Sequence, residues 1–252
     1  MSTPYFDRQE LDKTCKRNSW KNVVFKEFES TLLSKTRPFP CLFGVAGFQK
    51  NQLRFAFSED MRPEEIVAPL EHFVENCRGY GANTSLVIFS KPRDVEAIET
   101  YSSQFWKLLR DLAKLDKHAW PHQIPTEIDT PAWEFCFAGE PIFVVCNTPA
   151  HVRRQSRRST AFMITFQPRW VFENLLGTEK SASKAFSSVR SRLLEFDLSV
   201  PSPHLGQYGQ KEVREFKQYF LLEDDLPAIC PFHSLESGHC AEIEKTKGVR
   251  HE

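Results

Sequence analysis

The chain has 252 residues, 40% of them hydrophobic, enough to bury a large core as one big domain or two tightly joined lobes. Its 33 basic and 33 acidic residues cancel, so it has no global basic footprint of the kind that nucleic acid or an anionic membrane attracts. The charged start MSTPYFDRQELDK lacks the apolar core of a secretory signal, and no apolar run reaches bilayer length. Seven cysteines without regular spacing read as reduced thiols, so a cytoplasmic protein is expected.

Residues 1–17 read as an amino-terminal arm. Between Asn18 and Lys35, apolar Trp20, Val23, Val24, Phe28 and Leu32 draw one helical stripe, stopped by Arg37–Pro38–Phe39–Pro40. Leu42–Phe48 and Leu53–Phe57 read as two short strands joined in a hairpin by the polar segment Gln49–Gln52. Ser58 or Asp60 can cap the next helix, which has Pro63 in its first turn and Ile66, Val67, Leu70, Phe73, Val74 and Cys77 on its inner face. Gly79 and Gly81 mark its exit. Thr84–Phe89 reads as a strand buried on both faces, and about Asp94–Asp116 as a long helix.

The proline-rich link Trp120–Pro131 is the best candidate boundary between lobes, too short for a free linker. Trp133–Cys146 is a second hairpin turning at Gly139–Glu140, and Thr160–Phe166 another strand. Helices are expected over Trp170–Leu176, Ala182–Phe196 and Glu212–Leu222, with a loop over Leu198–Gln210. The chain therefore reads as α+β: a mixed sheet with β-hairpins and helices on its faces, in one compact domain over 18–235. Residues 236–252, small, polar and charged, read as a disordered tail.

No GxGxxG follows a strand, and GxxxxGK[ST], GxSxG and HExxH are all missing. Nucleotide, flavin, serine-hydrolase and zincin sites of those types are unsupported. Cys230, His233, His239 and Cys240 fall in no zinc-finger spacing. Cys41, after a proline turn, reads as a buried small hydrophobe, with Arg37 as a source of positive charge.

The densest chemistry lies in Trp133–Leu176, where the hairpin ends in Asn147–Thr148–Pro149–Ala150–His151. Arg153, Arg154, Arg157 and Arg158 follow, between segments that want burial. A neutral imidazole suits iron, and a proximal histidine is one standard way to hold haem. Arg153 with Arg157, and Arg154 with Arg158, would share helical faces, and a guanidinium fork matches a propionate. The alternatives at this point are a satisfied core histidine beside a basic face, and a phosphate-binding patch.

The segments FPCLFG, WEFCFAGEPIFVV, NTPAHVRRQSRR, FQPRWVFE and LLEFD with PHLGQYG resemble the YqcI/YcgG family, from about Phe39 to Pro231. That family includes haem-dependent enzymes that N-hydroxylate guanidine groups of arginine or arginine-derived compounds. The resemblance implies haem b with His151 as proximal iron ligand, and Arg153, Arg154, Arg157 and Arg158 as propionate partners. Rings of the flanking strands, Phe143 among them, would lie against the porphyrin. A guanidinium substrate needs acidic partners, for which Glu134 and Glu140 are the candidates. Electrons would come from an external donor with O2, or H2O2 would replace both. A small-molecule substrate without nucleic acid or membrane partners, and a possible homodimer, complete the expectation. A haem carrier or sensor without catalysis, or a phosphate-binding module, are the competing classes.

Overall fold

A computed structural model describes residues 3–175 and 179–226. In chain order it runs α1 (Arg8–Thr14), α2 (Trp20–Leu33), α3 (Leu42–Gln49), β1 (Leu53–Ser58), α4 (Pro63–Asn76), β2 (Ser85–Ser90) and α5 (Ile98–Leu115). Then follow β3 (Cys136–Phe137), β4 (Glu140–Asn147), β5 (Met163–Pro168), α6 (Arg169–Leu175) and α7 (Glu179–Phe196). The strands form one mixed sheet in the order β1-β2-β5-β4-β3. β1 and β2 are parallel, and every other neighbouring pair is antiparallel. The expected α+β class in one compact domain holds. The five described cysteines are free thiols, and among the described residues no helix is long and apolar enough to cross a membrane.

Side chains alternate across the sheet and so divide the interior in two. Leu86, Ile88, Ile142, Val144, Cys146, Ile164 and Phe166 face α4 and α5, whose Ile66, Leu70, Phe73, Phe105, Leu109 and Leu112 complete one core. Val87, Phe89, Phe55 and Met163 face the other way, toward Val24, Phe25 and Leu32 of α2 and Phe48 of α3. The β3–β4 hairpin turns where expected. Ala138 and Gly139 both take positive φ (53° and 73°), the requirement of a tight turn that follows the twist of its strands.

Two elements differ from the expectation. Leu42–Gln49 is helical, so there is no β-hairpin before β1. A continuous apolar run of this length is ambiguous between strand and helix. The decision comes from Cys41, whose sulfur caps the Gly44 N–H at 3.3 Å, and from Gly47, which lets the helix approach another backbone segment. A Cβ at Gly47 would stand 2.3 Å from the Asn83 carbonyl oxygen.

The second is Glu212–Leu222, which contains only a short 3-10 turn at Glu215–Gln218. Its carbonyls are claimed from outside. Those of Gln218 and Tyr219 accept from Arg157, Tyr219 also from the Cys146 N–H, Leu221 from His151, and Leu222 from Arg154. A backbone whose acceptors are taken this way does not propagate a helix.

At the start of α4 the N-cap position is Arg62, without a side-chain cap. The Ser58 hydroxyl accepts from the Met61 N–H at 2.7 Å, and Asp60 pairs with Arg93. The Cys230–Cys240 cluster and the expected tail lie outside the described residues.

Candidate functional site

On the α3 side of the sheet lies a cavity of about 560 Å³, within the range typical of small-molecule sites. Its floor is the outward-alternating set of β4 and β5: Phe143 opposite Gln167, Val145 opposite Thr165, and Asn147 opposite Met163. These odd-numbered β4 positions explain why Phe143 and Val145 are half-buried while Ile142 and Val144 are fully enclosed. Phe28, Phe39, Phe43, Phe172 and Phe186 supply ring walls, and residues of α7 and the 201–208 loop close the sides. Another hollow, about 290 Å³, is bordered largely by charged residues such as Glu59, Asp60, Arg62 and Arg93, and lacks such a ring wall.

Most of the wall surface is apolar, but many polar side chains interrupt it, Asn147, Arg154, Gln167 and Arg190 among them. Cys41 sits at the N-terminus of α3, its sulfur accepting the Gly44 N–H. Burial pushes its thiol pKa up, while the Gly44 and Phe43 N–H groups and the Arg157 guanidinium pull the other way. Arg157 is buried, and its pKa is lowered to about 10 by desolvation. Asp197 accepts from the Ser156 N–H at 2.6 Å and from its hydroxyl at 2.9 Å, which fixes the turn that presents Arg157.

At another part of the wall stand Arg169, Tyr208, Glu215 and Gln218. Arg169 forms a fork on Glu134, with Nε 2.8 Å and Nη2 2.6 Å from Oε2, and also bonds Glu215. Glu134 and Glu215 are both buried, at 0% and 3% exposure. Burial pulls the Arg169 pKa down, but the two carboxylates outweigh it and the net shift is upward. Burial raises the Glu215 pKa to about 8, with Arg169 opposing and Glu134 adding. The Tyr219 hydroxyl lies 3.2 Å from Glu215 Oε1, and the Arg169 guanidinium stacks 4.0 Å above the Tyr208 ring.

The histidine and the four arginines have other duties than those expected. His151 is fully buried behind the cavity and does not line it. Its Nε2 lies 2.8 Å from the Leu221 carbonyl, which can only accept, so Nε2 carries the proton and Nδ1 accepts from the Thr148 hydroxyl at 2.9 Å. Both ring nitrogens are thereby used, which leaves neither open to iron in this arrangement. Desolvation lowers the His151 pKa to about 4 and keeps the ring neutral.

The arginines do not form two helical pairs, because the segment is a 3-10 turn over Gln155–Arg157. Arg154 and Arg157 are buried, while Arg153 and Arg158 are exposed. Arg154 bonds the carbonyls of Leu222, Val200 and Asp224 and pairs with Asp225 at 2.7 Å. Donors spent on backbone carbonyls are not offered to a phosphate, which removes the basis for a phosphate-binding module at Arg154. Arg158 bonds the carbonyls of Pro149 and His151. The NTPAHVRRQSRR stretch thus acts as a clasp, fastening 218–222 across the cavity wall.

Of the remaining expected site residues, Phe143 lines the cavity, edge-on to Phe172 at 5.3 Å. Glu134 sits behind the wall on Arg169. Glu140 lies apart at the start of β4, paired with Arg78 at 3.3 Å. The expectation did not include Glu215, Arg169 or Asp197. Arg169 and Glu134 lie in the quoted segments FQPRWVFE and WEFCFAGE, but only the fold shows that they meet.

A model of the YqcI/YcgG family matches residues 28–233. Among curated proteins the chain is 40% identical to uncharacterized protein YcgG of Bacillus subtilis (strain 168) over 86% of this chain and 90% of that protein. It is 41% identical to uncharacterized protein YqcI of the same strain, over 86% and 89%. DcsA of Streptomyces lavendulae, named as a candidate N(omega)-hydroxy-L-arginine synthase, is 31% identical over 85% and 84%. No solved structure matches. With more than three quarters of its length covered by the family model, the chain belongs to the YqcI/YcgG family.

Proposed function

We propose that this protein is a haem-dependent enzyme that N-hydroxylates the guanidine group of arginine or an arginine-derived compound in the cavity above β4 and β5. The observation that carries this reading is the make-up of that cavity: ring walls, one thiol, and buried carboxylates around a single half-open space. The likeness to DcsA supports the substrate class.

The donor set fits haem b with one change of ligand. Thiolate is a standard axial ligand of haem, and Cys41 is the one cavity-lining cysteine among the described residues, whereas no histidine there lines the wall. The Gly44 and Phe43 N–H groups at the N-terminus of α3 offset part of the burial that raises the pKa of that thiol, and bound iron would supply the remaining positive charge. Phe39, Phe43 and Phe143 would cover the macrocycle. When bound, haem supplies the oxygen-activating chemistry, for which thiolate ligation is suited.

The chain's own contribution is to enclose and orient. The ring walls keep water from the reacting nitrogen, and the carboxylate-bearing wall holds the guanidinium. Overall, one O2, two electrons and two protons convert the guanidine to its N-hydroxy product and one water. Hydrogen peroxide can replace oxygen, electrons and protons together. No flavin or nicotinamide motif is present in the sequence, so in the first case a separate donor supplies the electrons.

The test is direct: full-length protein purified with haem is incubated with L-arginine and either a reductase system in air or peroxide. The expected product is arginine heavier by one oxygen. No oxygenated product from arginine or any arginine-derived guanidine, under either regime, contradicts the reading and favours a haem carrier or sensor.

A further inference from the structure

The cluster at Arg169 has a charge imbalance that its own residues do not remove. One guanidinium faces two buried carboxylates, Glu134 and Glu215. The other titratable groups around Glu215 are the hydroxyls of Tyr219, from the segment after the 3-10 turn, and Tyr208, from the 201–208 loop. Burial raises both of their pKa values, so both hydroxyls stay neutral, and a phenol has no cationic form to offset a carboxylate. Arg169 can therefore neutralise one carboxylate, and the other must take a proton or a second cation, because an uncompensated buried charge is costly.

The two carboxylates are not equivalent. Glu134 receives the full fork of Arg169 and does not reach the cavity, whereas Glu215 forms part of its wall. Glu215 Oε1 takes the Tyr219 hydroxyl, Oε2 takes Arg169, and the carboxyl also shares a hydrogen bond with Glu134, the contact that the extra proton would bridge. The segment bearing it is pinned by the clasp of Arg154, Arg157 and His151, so the carboxyl is held in place rather than left on a loose loop.

We propose that Glu215 is the docking group for the guanidinium of the substrate, the incoming cation taking the place of a proton that the carboxyl carries in the free protein. This rests on the guanidine reading above and adds to it a named residue and a proton balance. Binding converts Glu215 carboxyl plus guanidinium into a carboxylate–guanidinium pair, and one proton leaves to solvent. The planar fork of a guanidinium matches a carboxylate better than an ammonium does, so arginine is selected over lysine.

Titration calorimetry of the full-length haem-containing protein with L-arginine, in buffers of different ionisation enthalpy, reads the proton directly. The expected result at pH 7 is proton release approaching one per arginine bound. Arginine affinity should rise roughly tenfold per pH unit below the Glu215 pKa and level off above it. Glu215→Gln, which keeps the shape of the side chain, is expected to abolish the release and weaken binding by about 30-fold or more. Arginine bound by the natural protein without proton release, or with equal affinity in folded Glu215→Gln, overturns the role of Glu215 and leaves the substrate reading standing. If neither arginine nor any arginine-derived guanidine binds at all, the substrate reading fails together with the inference.

Discussion

His151 shows how much a single side chain's chemistry depends on its partners. Surrounded by Thr148, Leu221 and the Phe220 ring, it is a neutral core residue that joins β4's exit to the 218–222 segment. Folding lowers its pKa from 6.5 to about 4, so the unfolded chain takes up a proton first as the solution is acidified. The resulting stabilisation is complete above pH 6.5, declines between 6.5 and 4, and is lost below that, a change on the order of 3 kcal/mol. Denaturant unfolding across that window should show the decline, and a His151→Gln variant should show a flatter profile. His151→Ala, which also leaves the Leu221 carbonyl unpaired, is expected to lose roughly 3 kcal/mol. A variant as stable as the natural protein would mean that these two hydrogen bonds carry no weight.

At the scale of elements, the clasp and the segment it holds form one unit. Arg157 bonds the carbonyls of both Gln218 and Tyr219, and Arg154 bonds that of Leu222. Replacing Arg157 by Met keeps much of the apolar stem but strips the Gln218 carbonyl of this donor and leaves that of Tyr219 with the Cys146 N–H, at a cost of about 1–3 kcal/mol. Hydrogen exchange should then rise at the amides of 216–222, including Tyr219, with little change in β1 and β2. Uniform protection in Arg157→Met would show that the segment is held by its aromatic packing instead. The same unit explains why Glu212–Leu222 reads as a helix from sequence. Phe216, Tyr219 and Phe220 have helical spacing, but the acceptors that a helix needs are claimed by residues some sixty positions earlier. Leu42–Phe48 misleads for another reason, since a short continuous apolar run carries no period.

Across the whole molecule, the sheet with helices on both faces was legible because β2, β4, β5, α2, α4, α5 and α7 each carry a strong apolar pattern. The cavity was not. Ile142 to Cys146 are all apolar, so sequence alone cannot separate the side that seals a core from the side that walls a ligand space. Nor can it show that Glu134, Arg169 and Glu215 converge, because they lie on three separate segments that only the fold brings together. The arginine-rich stretch was visible as unusual for being flanked by apolar segments, and its role in fastening the wall accounts for that. Cys41 was read as a small hydrophobe, and its position at the cavity surface emerges only when Leu42–Gln49 is a helix.

The proposed chemistry depends first on haem being held in this cavity through Cys41. Its most direct test is the absorption spectrum of the purified protein, oxidised and as the ferrous carbon monoxide complex, after expression with a haem precursor. Cys41→Ser retains a hydroxyl able to cap α3 and so should fold normally while losing the thiolate. A Soret band is expected in the natural protein, with the red-shifted carbon monoxide complex of thiolate ligation, and that signature should be lost in Cys41→Ser. A protein that binds no haem, or one whose spectrum is unchanged in Cys41→Ser, would contradict that ligation.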